Sequence, residues 1–148
     1  MSNNLKLSRF FLLKSLKQQN QGSKLASPSK RHISATPTVK ATFNVQDEDD
    51  FKKRVIENDK TVIVDFHAVW CGPCKILGPK LEKVMSGYEG KADFAKVDID
   101  QLTDLALDFK VNSVPTVVAI KNGKEVGKFV GLMDDDRLKK FVKDAIDK

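Results

Sequence analysis

Residues 61–67 read Thr-Val-Ile-Val-Asp-Phe-His, and this run constrains the fold more than any other stretch of the chain. Its β-branched and aromatic residues favour a strand. The alternation of polar and apolar residues that marks a sheet with one wet face is missing. A strand that is apolar on both sides has to be covered on both sides, so helices must lie on both faces of its sheet. One carboxylate, Asp65, interrupts the run, and just beyond it stand the chain's only two cysteines, Cys71 and Cys74, separated by Gly72 and Pro73.

The rest of the chain supplies the elements such a sheet needs. Val39 to Val45 reads as a short strand, and Asp47 as the cap of a helix reaching about Glu57. Lys75 to about Met85 has helical spacing at Ile76, Leu77, Leu81 and Val84, with Pro79 inside it. Ala92 to Ile99 alternates as a strand, Leu102 to Phe109 forms a short helix, and Thr116 to Ile120 is a further strand. Asn122-Gly123 predicts a tight hairpin into Glu125 to Val130. Acids at Asp134 to Asp136 favour a helix start, and Leu138, Phe141, Val142, Ala145 and Ile146 give that helix an apolar stripe. The expected architecture is one α/β domain with a central mixed sheet flanked by helices on both faces. At 148 residues the chain holds one ordinary domain that needs no disulfide staple.

A formal charge of +6 suggests a nucleic-acid or membrane partner until its distribution is read. Of the 26 basic residues, eight fall in residues 1–46, where there is no acid; the remaining 18 face all 20 acids. The positive charge therefore belongs to the N-terminal segment, and neither nucleic acid nor a membrane is expected as partner. No stretch approaches the ~18 apolar residues of a membrane span, and Lys14 interrupts Phe10-Phe11-Leu12-Leu13 too early for a secretory signal. A segment rich in Ser, Lys and Arg and free of acids reads instead as a mitochondrial presequence, with a plastid transit peptide or a plain basic tail as the alternatives. Residues 1–37 are assigned to it and 38–148 to the domain, with cleavage expected between 33 and 41, after Arg31-His32.

Cys71-Gly72-Pro73-Cys74 admits three readings. A structural zinc site needs four ligands, and only His67 lies near, so no metal is expected. A structural disulfide over so short a loop constrains little chain. Redox catalysis fits the position between a buried strand and a helix. At a helix N-terminus Cys71 would meet unpaired N–H groups and the helix dipole, which stabilise a thiolate and pull its pKa below the ordinary ~8.5. Cys74, one turn further in, would be shielded.

Trp70-Cys71-Gly72-Pro73-Cys74-Lys75, Asp65 six residues before Cys71, Pro79, and Val114-Pro115-Thr116 together resemble the thioredoxin family. The resemblance covers about residues 40–148, and the presequence adds a likeness to its mitochondrial members. It implies the thioredoxin fold and a protein-disulfide reductase that works by dithiol–disulfide exchange, with Cys71 as nucleophile and Cys74 as resolving thiol. It also implies no bound cofactor, electrons from NADPH through a thioredoxin reductase, clients such as peroxiredoxins, a monomer, and residence in the mitochondrial matrix or, alternatively, the plastid stroma. A disulfide-isomerase-like protein and a noncatalytic thioredoxin-fold module are the rival readings. His67 and Val69 depart from the family's usual residues, without removing a catalytic group.

Further roles follow. Trp70 is either core or a flat apolar surface for clients. Gly72 and Pro73 are a turn dipeptide that, between active cysteines, tunes the redox potential. Pro115, trans by the ordinary habit of such bonds, is cis by the resemblance, and with Val114 it would meet an extended client segment. Lys96 either snorkels from its strand or, as in the family pattern, approaches the buried acid. Asp65 is either bonded to backbone or, with a pKa raised by burial, the group that carries the Cys74 proton.

Overall fold

Thr61–His67 forms strand β2, with every side chain but His67 buried, as the unbroken apolar run demands. The structure is a computed structural model in which residues 42–148 are described. The presequence assignment, its cleavage range and the first strand's residues before Thr42 lie outside them.

In chain order the elements are β1 (Thr42–Asn44), α1 (Glu48–Phe51) with a wider π-helical turn (Lys52–Ile56), β2, α2 (Gly72–Met85), β3 (Ala92–Asp98), α3 (Thr103–Asp108), β4 (Thr116–Lys121), β5 (Lys124–Val130) and α4 (Asp135–Asp147). The strands lie in the order β1-β3-β2-β4-β5. β1, β3 and β2 run parallel, and β4 and β5 are antiparallel to their neighbours, which makes the sheet mixed.

Both faces of β2 are covered, by different helices. Ile63 packs with Leu77 and Leu81 of α2 and Leu138 and Val142 of α4. Phe66, of opposite parity and so on the other face, stacks with Phe109 at the end of α3, which meets Phe51 of α1 edge-on at 5.4 Å between ring centres. Asp65 shares the parity of Ile63. In the parallel register Ile63 faces Phe94 and Asp65 faces Lys96. Acid and lysine therefore lie side by side on the face that α2 covers.

Local chemistry sets the element ends. Asp47 and Asp134 cap α1 and α4, accepting from the N–H groups of Asp50 (2.7 Å) and Arg137 (2.9 Å). Asn122 and Gly123 both take positive φ, 52° and 71°, the conformation of the hairpin turn that Asn-Gly favours. One burial pattern and one helix start differ clearly from expectation. β3 alternates in sequence yet is buried from Ala92 to Ala95, because β1 extends the sheet past it. α2 begins at Gly72, three residues earlier than its apolar spacing suggests, because Cys71 caps it and Gly-Pro is compatible with a first turn.

Two glycines should respond oppositely to substitution. A Cβ at Gly127 would stand 3.0 Å from the Phe141 ring, which packs edge-on against Phe129, whereas a Cβ at helical Gly78 would meet no heavy atom within 4 Å. Gly127→Ala should cost about 1–3 kcal/mol by overpacking, and Gly78→Ala should gain up to about 1 kcal/mol through helix propensity. Denaturant unfolding of the two variants checks both signs.

Candidate active site

β2 delivers the chain to the sheet's end, and α2 leaves from the same place. Between them Ala68 accepts a hydrogen bond from the Cys71 N–H at 3.2 Å, which turns the chain so that Cys71, in an extended conformation, becomes the N-cap of α2. The Cys74 N–H donates to Cys71 Sγ at 3.2 Å. A sulfur thus occupies the place where a capping oxygen ordinarily sits, facing N–H groups with no partner in the helix.

Cys71 and Cys74 are joined by a disulfide, their Cα atoms 5.3 Å apart. Cys74 is shielded, as expected, and with the bridge closed so is Cys71: the residues are 6% and 4% exposed. With the bridge closed, what separates them is place, Cys71 capping the helix and Cys74 lying within its first turn. Both pack with Ala68 against Ile99 and Val114. The Val114–Pro115 bond is cis, as the resemblance implies. Pro115 is buried and its carbonyl accepts from the Gly131 N–H at 2.8 Å.

Trp70 is not core. It is 68% exposed, and neighbouring Val69 is 70% exposed, so an apolar surface adjoins the disulfide. The indole N–H donates to Asp100 Oδ2 at 2.9 Å and fixes the ring. Gly72 and Pro73 are exposed in the first turn of α2.

Asp65 is 1% exposed, and its Oδ1 has no hydrogen-bond partner. Burial pushes its pKa from 3.8 up to about 7; the Lys96 charge opposes the shift and the Glu82 charge adds to it. Lys96 is not bonded to Asp65. Its ammonium donates to Glu82 Oε1 at 2.6 Å, so it acts on the acid only through its field. His67, half-buried at the end of β2, has its pKa lowered by burial, with Asp98 opposing and Lys96 adding. Among the described residues no group of three or more His, Cys, Asp or Glu is arranged to hold a metal ion.

Glu82 and Asp100 escape a reading of the sequence. Asp100 lies 30 residues from Trp70, with no signal to link them. Glu82 is one charged residue among several on the exposed side of α2, and only the register of β3 shows that Lys96 reaches it.

A bridged Cys-x-x-Cys at the start of a helix, directly after an exposed Trp and at the end of a strand that carries a buried acid, defines a thiol–disulfide oxidoreductase. The family model described as Thioredoxin matches residues 41–144. "Thioredoxin, mitochondrial" of Bos taurus is 53% identical over 130 residues, which cover 87% of this chain and 78% of that protein. "Probable thioredoxin-2" of Caenorhabditis elegans is 38% identical over 146 residues, 99% of each chain. "Thioredoxin-1" of Saccharomyces cerevisiae is 51% identical over 76 residues, 51% of this chain and 73% of that one. The chain belongs to the thioredoxin family. Its fold is the thioredoxin fold, and its cysteine pair makes it a dithiol–disulfide oxidoreductase.

The buried acid gives a stability signature with a definite sign. Below about pH 4 the carboxyl is protonated in the folded and unfolded chains alike. From about pH 4 to 7 only the unfolded chain ionises, so stability falls; above about 7 the folded chain ionises too and the loss levels off. Asp65→Asn should therefore match wild type near pH 4 and exceed it above neutrality, by at most on the order of 4 kcal/mol. Urea unfolding across that range measures the difference.

Proposed function

We propose that the protein is a protein-disulfide reductase of the mitochondrial matrix. The observation that carries the chemistry is the sulfur of Cys71 at the N-cap of α2, where the Cys74 N–H meets it at 3.2 Å. The Cys71 thiolate attacks one sulfur of a client disulfide; a Cys71–client disulfide forms and the other client sulfur leaves as a thiolate. Cys74 then gives up its proton and attacks Cys71 Sγ. The 71–74 bridge closes, the second client thiolate is released, and two electrons have passed to the client.

Asp65 is the group that takes the Cys74 proton, directly or through one water. A carboxyl with a pKa near 7 changes protonation at working pH, as a proton carrier must. Gly72 and Pro73 set the strain of the first turn and with it the redox poise, and Lys96 moderates the acid through its field. Trp70 and Val69 offer clients an apolar surface, and Val114, packed against the cysteines, would with Pro115 meet an extended client segment. A flavoprotein thioredoxin reductase drawing on NADPH returns the two electrons, and peroxiredoxins are the clients of first choice.

The compartment rests on two supports. Residues 1–37 form a basic, acid-free segment of the presequence type, and similar proteins from Bos taurus, Mus musculus and Rattus norvegicus carry the name "Thioredoxin, mitochondrial". They favour the matrix over the plastid stroma.

Insulin reduction with thioredoxin reductase and NADPH separates this reading from a noncatalytic module, which would leave the insulin disulfides intact. In the same assay neither cysteine variant should turn over. Cys74→Ser should accumulate clients as mixed disulfides and Cys71→Ser none; equal trapping would reverse or void the assignment of roles. A chain starting at Thr38 should fold, reduce insulin at the full-length rate and remain in the cytosol when expressed in cells, as imaging of a tagged chain would show.

A further inference from the structure

The ammonium nearest in register to the buried acid is engaged elsewhere. Asp65 and Lys96 face each other across β2 and β3, on the sheet face that α2 covers. Lys96 Nζ donates to Glu82 Oε1 at 2.6 Å, while Asp65 Oδ1 has no partner. Glu82 sits on α2 eight residues after Cys74, about two turns and roughly 12 Å along the helix. The choice of partner has a physical reason. Reaching Asp65 would strip water from the ammonium in an apolar interior, whereas Glu82, half-exposed, lets it remain hydrated at the rim.

Few other charges reach the acid. Its partner on β4 is Val117, which has none. α2 brings Cys74, bridged to Cys71, and Glu82; Lys80 of the same helix pairs with Asp135. Two residues along β2 is His67, whose own surroundings are set by Asp98 and Lys96. The acid thus meets desolvation together with one ion pair whose two charges oppose each other.

We propose that Glu82 is a positioning residue for the exchange reaction: by holding the Lys96 ammonium at the rim, it sets the pH at which Asp65 gives up its proton. The inference rests on the reading of Asp65 as the carrier of the Cys74 proton. With Glu82 charged, the Lys96 ammonium is held at the rim, its field at Asp65 is weakened and the carboxyl keeps its proton to higher pH. With Glu82 neutralised, the ammonium is free to lean toward the acid, the carboxyl ionises earlier, and the working range of the proton transfer moves to lower pH.

The test is an NMR titration of the Asp65 carboxyl carbon in the full-length protein, in wild type, Glu82→Gln, Glu82→Asp, Lys96→Gln and the Glu82→Gln/Lys96→Gln double variant. Both side chains reach solvent at the rim, and neither is part of the apolar core, so these changes leave it intact. Glu82→Gln should lower the midpoint by on the order of one pH unit, and Glu82→Asp should restore most of it. In the Lys96→Gln background the shift should shrink to half or less. An unmoved midpoint in Glu82→Gln overturns the proposal. So does an equal shift in both backgrounds, since Glu82 would then act without Lys96. Stopped-flow Trp70 fluorescence during client reduction supplies the second readout, and its pH–rate curve should move with the midpoint. If the midpoint moves while the rate curves of Glu82→Gln and Asp65→Asn both superimpose on wild type, Asp65 is not the proton carrier. That outcome overturns the proton-carrier reading and with it the catalytic role of Glu82, whereas an unmoved midpoint removes the role of Glu82 alone.

Discussion

Covering β2 on both faces is the constraint from which the rest of the molecule follows. With α2 and α4 on one side and the Phe51–Phe66–Phe109 cluster on the other, the middle of the sheet is closed to bulk solvent. Every other requirement of the site is then a matter of what that dry strand carries and where it ends. The dryness raises the pKa of Asp65 to about 7, and the end of the strand fixes where the next helix begins and hence where the first sulfur lies.

The acid and the sulfurs are separate devices mounted on one connection. Cys71 owes its position to a backbone turn and a cap, both of which use orphan donors that any helix start offers. Asp65 owes its state to packing, which disfavours its charge, and to an ion pair that does little to help it. A stable protein would ordinarily exclude such a group; retaining it lowers stability at neutral pH and, on the proposed mechanism, supplies a proton carrier poised in the range where thiols exchange. On that mechanism stability and chemistry are opposed at this residue.

Much of this was legible residue by residue. The apolar run at 61–67, the caps Asp47 and Asp134, the Asn122-Gly123 hairpin and the helical stripe of α4 are local signals, and each produced the element expected of it. Cys71, Cys74 and Asp65 also declared themselves, because two lone thiols at a strand-to-helix junction and one acid in an apolar strand are chemically conspicuous. Less was legible where the decision depends on neighbours. The alternating pattern of β3 suggested a half-wet strand, yet its place between β1 and β2 buries it from Ala92 to Ala95. The early start of α2 depends on a sulfur cap that apolar periodicity does not register.

The sequence by itself determined the kind of sheet, the order of its elements and the identity of the reactive groups, since these follow from side-chain chemistry and short-range spacing. Tertiary structure alone decided which groups feel one another. The parallel register sets Lys96 opposite Asp65, and the packing of α2 across that face brings Glu82 within 2.6 Å of the same ammonium. The end of β3 likewise leads to the turn where Asp100 takes the Trp70 indole N–H. These pairings join residues 14 and 30 positions apart, and their strengths depend on how much water remains around each partner, a property of the folded surface that no local stretch of chain contains.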